Sequence, residues 1–170
     1  MKEPHWLTAA EQDAWRSFVR LQDKLIGRLS RALQAESNLS AADYAVLVEL
    51  TEVPEGRLRF LDLAKAIEWE KSRMSHHIAR MAKRGLVARE ECTEDGRGAF
   101  VSVTPAGRAA IASAAPRHAG AVRRLFVEPF TPEELSAFAE LSKRLLAQLE
   151  GDEPTAHVPL LPVSECGREA

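Results

Sequence analysis

Cysteine is nearly absent from this chain of 170 residues: only Cys92 and Cys166 occur, far apart and with no CxxC or Cys/His companion at metal-ligand spacing. That argues against a disulfide scaffold and against a cysteine-built metal site, and no cofactor is expected. Long apolar runs are missing too. No stretch approaches the roughly 18 apolar residues of a membrane helix. The opening segment MKEPHWLTAAEQDAWRSF has neither the basic start nor the continuous apolar core of a signal peptide. A cytoplasmic protein without membrane contact is expected. Also lacking are a glycine-rich phosphate loop, G-x-S-x-G and H-E-x-x-H, so nothing assembles the nucleophile, base and orienting group that an enzyme would need. Aromatics make up only 6% of residues, against 45% hydrophobic and 28% charged, a balance that fits a helix-rich globular chain.

Charge of one sign is also scarce overall, the formal net charge being -2, which taken alone would argue against nucleic acid. The distribution reverses that reading. Lys65 to Arg108 holds nine Lys/Arg against six Asp/Glu, a local +3, which leaves -5 for the remainder. The cations gather in one stretch.

Three capping boxes mark helix starts: TAAE at Thr8, SAAD at Ser40 and TPEE at Thr131, the last with proline at the first helical position. After Thr8, Trp15, Phe18, Val19, Leu25, Ile26, Leu29 and Leu33 recur at three- and four-residue steps, predicting one buried face on a long helix to about residue 34. A second helix is predicted over about 41–52, ahead of Pro54 and Gly56, then a short extended link, RLR. FLDLAKAIEW reads as a two-turn helix with Leu61, Leu63, Ala64 and Ile67 inward. EKSRMSHHIARMAKR reads as another, ended by Gly85. Two short helices joined tightly form the helix-turn-helix pattern. LVAREE and AFVSV suit strands, with CTEDGRG supplying a turn. TPAGR opens a third long helical region, interrupted near Pro116 and Gly120, before the last helix to about residue 149. The segment 151–170 holds three prolines and no period, and is expected to be poorly ordered.

The most informative stretch runs from Glu70 to Val103. On a helical wheel Met74, Ile78 and Met81 form a buried stripe. Ser72, His76, Ala79 and Lys83 lie opposite, flanked by Arg73 and Arg80, with Ser75 as a further small hydroxyl. Such a face suits a major groove, where arginine reads guanine and Ser or His bonds base edges or phosphate. The bland reading is a solvated helix face. What favours DNA is the hairpin directly after it, with Arg97 at a glycine-flanked tip suited to a narrow minor groove and Asp95 placed to orient it.

From Ser40 to Gly107 the chain resembles the winged helix-turn-helix domain of the multiple-antibiotic-resistance regulator (MarR) family. LSAADYAVLVEL, FLDLAKAI, KSRMSHHIARMAKRGLVAREE and EDGRGAFVSVTPAG carry the resemblance, the last matching the family's wing pattern of Asp-Arg-Arg, a strand, then Leu-Thr and glycine. It implies a mainly α fold with a small β-hairpin wing (α+β). The domain would span 8–150, with 36–104 as the DNA-binding region and 8–35 and 105–150 as dimerisation helices. It further implies a homodimeric transcription factor, most often a repressor, on palindromic double-stranded DNA. The family's acidic wing anchor falls on Asp95 and its minor-groove arginine on Arg97. Gly96 stands in place of the usual first arginine, so one wing phosphate contact is missing from the pattern. The outer apolar stripes fit pairing with a second chain, an intramolecular bundle being the alternative.

Relatives of this kind bind small, often aromatic or phenolic ligands between the dimerisation helices and the winged domain. Here Trp15, Arg16 and Arg20, with Tyr44, are the candidates for a stacking surface and a carboxylate partner. His76 and His77 point about 100° apart on a helix and cannot chelate one ion. Cys92 near the turn reads as structural or incidental rather than as a redox sensor. The alternative function is a winged-helix protein-interaction module without operator binding.

Overall fold

In a computed structural model, residues 6–91 and 99–152 of the chain are described. Helix α1 (Ala9–Ser37) begins at the Thr8 capping box, where the Thr8 hydroxyl accepts from the Glu11 amide and Glu11 accepts from the Thr8 amide. It ends at Asn38, whose left-handed backbone closes the last turn through its amide on the Gln34 carbonyl. The helix therefore runs three residues beyond its predicted end. Helix α2 (Ala41–Glu52) repeats the device with Ser40 and Asp43.

The predicted link RLR is a strand, β1 (Arg57–Arg59). Helices α3 (Phe60–Ala66) and α4 (Lys71–Lys83) follow, then β2 (Val87–Glu91), β3 (Ala99–Val103), α5 (Pro105–Val122), a π-helical turn (Arg123–Val127) and α6 (Pro132–Asp152). The sheet is antiparallel in the order β1-β3-β2, with Leu58 and Arg89 both opposite Val101. Arg57, Leu58 and Arg59 alternate polar and apolar, but three residues are too few to carry a strand signal of their own. The free edge of β3 is what recruits β1.

The core lies between α2, α3, α4 and the inner face of the sheet. Val46, Leu47, Leu50, Leu63, Met74, Ile78, Met81 and Val101 are fully buried there, each such side chain contributing roughly 1.5–3 kcal/mol by leaving water. The predicted Met74, Ile78, Met81 stripe is therefore the buried face of α4. Leu61 differs from expectation, being half exposed on α3, because a helix of two turns can direct only one narrow face inward.

Two further differences concern the long helices. No break occurs near Pro116 or Gly120: α5 is continuous through both, since proline costs one hydrogen bond while Ile111, Ala114 and Ala121 remain buried on either side of it. The apolar stripe of α1 exists as predicted, yet Leu33 alone of it is buried. Trp15 is 58% and Phe18 47% exposed, and on α6 Leu145 and Leu149 are 59% and 67% exposed. The described residues do not cover those faces. The π turn and α6 meet through the Phe126, Phe130 and Phe138 rings, packed with centroids 5.3–6.0 Å apart. No helix among the described residues is long and apolar enough to cross a membrane.

Candidate nucleic-acid interface

Helix α4 presents Ser72, Arg73, His76, Arg80 and Lys83 to solvent on one continuous face, with Ser75 half-buried at its margin. Its opposite side is locked into the core, so rotation that would hide this face is opposed by Met74, Ile78 and Met81 together. The predicted wing residues Asp95 and Arg97, with Cys92, lie outside the described residues.

A buried polar cluster secures α4 to the elements behind it. Asp43, 3% exposed, lies at the third position of α2, where one carboxylate oxygen accepts from the Ser40 amide at 2.9 Å and from Arg84 Nη1 at 2.6 Å. The other oxygen is 3.1 Å from Nε2 of His77. Burial pushes the Asp43 pKa up. The His77 ring, the Ser40 amide, the Arg84 guanidinium and the Ser40 hydroxyl outweigh it and hold the carboxyl well below the usual range. Arg84, which follows α4, also donates through Nη2 to the Asn38 carbonyl at 2.6 Å. One guanidinium thus joins the end of α4 to the start of α2 and the end of α1.

His77 acquires in the fold a role that its spacing from His76 does not suggest. It is 6% exposed, with Nδ1 3.1 Å from Arg80 Nη2 and its ring edge-on to Trp69 at 5.2 Å. Arg73 lies over the same indole at 4.3 Å, a cation–π contact that restricts the arginine before any ligand arrives. A signal for this was present: on the helical wheel His77 falls about 40° beyond Met81, at the edge of the buried stripe, and a polar ring at a buried edge needs partners. Of those partners, Asp43 is remote in sequence and Arg80, three residues on, is unremarkable there.

More cations surround the sheet. Arg57 and Arg59 lie 5.0 and 5.3 Å over the Phe100 ring, and Arg89 lies 5.4 Å over Phe60. The four ligand candidates are divided. Trp15, Arg16 and Arg20 line an open groove of about 360 Å³ on α1 with Val19, Asp23 and Lys24. Tyr44 is instead buried between α2 and α5 against His118, ring centroids 4.7 Å apart. Its hydroxyl and the His118 Nδ1 have no hydrogen-bond partner among the described residues. Burial raises the Tyr44 pKa and lowers that of His118, favouring the neutral form of each. Among the described residues no group of three or more His, Cys, Asp or Glu is arranged to hold a metal ion.

Comparison with known proteins agrees with this geometry. A model of the MarR family matches residues 37–98. The transcriptional regulator HosA of Escherichia coli is 29% identical over 131 residues, covering 77% of this chain and 95% of that protein. AbsC, a MarR family transcriptional regulator from Streptomyces coelicolor, superposes with a TM-score of 0.81 at 38% identity, over 87% of this chain and 99% of its own. Sco3205, a MarR family regulator from the same organism solved in complex with DNA, gives 0.80 at 39% identity over 94% and 98%. With the winged helix-turn-helix, the exposed cationic α4 and near-complete coverage of AbsC, this chain belongs to the MarR family of transcriptional regulators.

Proposed function

We propose that two copies of the chain pair through α1 and α6 and bind a palindromic operator, acting as a repressor. The observation that carries this is the combination, on one chain, of uncovered apolar helices and a rigidly seated cationic α4. Trp15, Phe18, Leu141, Leu145, Leu146 and Leu149 are all about half exposed or more, a concentration that a lone soluble chain rarely keeps. Each α4 enters a major groove, with Arg73 and His76 at base edges and Ser72, Ser75, Arg80 and Lys83 at bases or phosphates nearby. Arg97 reaches the adjacent minor groove, oriented by Asp95. The two reading helices then lie about one DNA turn apart, roughly 34 Å.

A small aromatic acid or similar hydrophobic anion releases the DNA in this reading. The α1 groove offers Trp15 for stacking and Arg16 and Arg20 for a carboxylate. Tyr44 is buried between α2 and α5 against His118 and lies outside this groove. Linkage requires such a ligand to bind free protein more tightly than operator-bound protein. Equal affinity of a candidate aromatic acid for the two forms, measured calorimetrically, refutes the release mechanism.

The operator reading is tested by selecting fragments bound from random DNA. An inverted repeat with half-sites one turn apart is the expected product. Arg73→Ala or His76→Ala should cost about 1–3 kcal/mol on that sequence and relax one symmetric pair of positions. Arg97→Ala should weaken binding to many sequences and flatten the salt dependence by a slope of about 0.9 for each phosphate it no longer neutralises. If none of the three variants differs from wild type on operator or scrambled DNA, α4 is a solvated face and this function is wrong.

A further inference from the structure

We infer that His77 is a positioning residue for DNA recognition: its buried ring holds Arg80 in the orientation that α4 presents to the operator, and Asp43 fixes the ring's tautomer. The inference rests on the reading above that Arg80 contacts DNA. A guanidinium has donors and no acceptor, so the Arg80 Nη2 to His77 Nδ1 contact at 3.1 Å requires Nδ1 to accept. The neutral ring then carries its proton on Nε2. That atom lies 3.1 Å from Asp43 Oδ1, an ionised carboxylate that only accepts. The distance suits a hydrogen bond but the alignment does not reach a good one, so the carboxylate selects the tautomer chiefly by its charge. Donor and acceptor therefore alternate consistently from Arg80 through His77 to Asp43, and the reverse tautomer would set donor against donor at Arg80.

The surroundings keep the ring in this pose. Trp69 packs edge-on against it. Arg84 and Ser40 occupy the second oxygen of Asp43, which leaves the first directed to His77. Arg80 itself is exposed and long, and a side chain of that kind gives up much rotamer entropy when a ligand fixes it. The His77 contact restrains it beforehand through one nitrogen, leaving the remaining donors for a phosphate or a guanine edge. Arg73, stacked on the same indole, is restrained alongside it. Two cations of the reading face are thus organised from a single pair of rings, Trp69 and His77.

The test is operator binding by the full-length protein carrying His77→Phe, His77→Asn, Arg80→Ala, and each His77 change combined with Arg80→Ala. Circular dichroism and thermal unfolding confirm that binding is measured below every melting transition. Phenylalanine keeps the ring volume and the Trp69 contact but offers Arg80 no acceptor, whereas the Asn oxygen falls near the place of Nδ1. Arg80→Ala should weaken binding by about five- to 150-fold, the range of one good contact, and His77→Phe by at least half of that on a logarithmic scale. His77→Asn should bind better than His77→Phe, even though it is the less stable protein. In the Arg80→Ala background neither His77 change should weaken binding further. Nitrogen-15 shifts of the ring should report a proton on Nε2 in the free protein. If His77→Phe binds as well as His77→Asn or better, or its effect persists undiminished without Arg80, His77 serves packing alone and the inference is overturned. If instead Arg80→Ala binds like wild type, the contact assigned to Arg80 is wrong, and this inference fails with that assignment while the roles of Arg73 and Arg97 stand.

Discussion

At the scale of single residues, Asp43 has the widest reach. As the fourth letter of SAAD it was legible in the sequence as the return arm of a capping box, and its contacts with Ser40 are those of that motif. Illegible was its second occupation, because His77 and Arg84 lie 34 and 41 positions downstream and no local pattern couples such separations. A buried carboxylate left with too few donors would cost several kcal/mol, so the motif and the tertiary cluster have to agree. The folded pKa of Asp43 is depressed, and its contribution is therefore fully present above the unfolded value of about 3.9 and lost as pH falls below it. Asp43→Asn should accordingly destabilise the protein by about 2–3 kcal/mol at neutral pH, after allowance for the partly exposed Arg84. Urea unfolding at pH 7 and again near pH 3 measures this. The difference between variant and wild type must shrink in acid, and an unchanged difference would show that the carboxylate charge contributes nothing.

Among elements, those whose signals are local were readable: the caps of α1 and α2, the apolar stripe of α4, and Gly85 after it, whose backbone takes the left-handed conformation at φ 73°. The elements that depend on partners were not. β1 exists because β3 has an edge to pair with, and α5 survives Pro116 because its buried side is held by α1 and α2. Two substitutions on α5 probe that difference. Gly107, in its first turn, has no room for a side chain: a Cβ there would overlap the Leu86 carbonyl oxygen, with a Val103 methyl close behind. Gly107→Ala should then cost about 1–3 kcal/mol, as overpacking typically does, with a lowered melting temperature and weaker DNA binding as α5 shifts from the β2 junction. Pro116 is exposed on α5, and Pro116→Ala restores a backbone donor to the helix interior. It should stabilise by about 1–3 kcal/mol. Melting at or below the wild-type temperature would instead mean that α5 needs the proline's local geometry.

For the whole molecule, the open question is what covers α1 and α6. Their stripes were plain from the spacing of apolar residues, but spacing cannot say whether the covering surface belongs to the same chain. The fold answers half of that question, since the faces are present and the described residues leave them open. If a second copy covers them, the winged core and the pairing surface are separable, because Leu47, Leu63, Ile78 and Val101 are buried without contribution from Leu141 or Leu145. The double change Leu141→Glu, Leu145→Glu keeps strong helix formers on α6 and places two like charges in the proposed seam of each chain. Sedimentation at micromolar concentration should then show a monomer where the wild type is a dimer, with far-ultraviolet circular dichroism nearly unchanged. Operator affinity should fall by about 100-fold or more, since the second half-site no longer benefits from the first. Binding to an isolated half-site should change little, because α4 and its buried cluster are untouched. A variant that stays dimeric, or a monomer that binds the full operator as tightly as wild type, would remove α6 from the interface and leave the open apolar faces for a different partner.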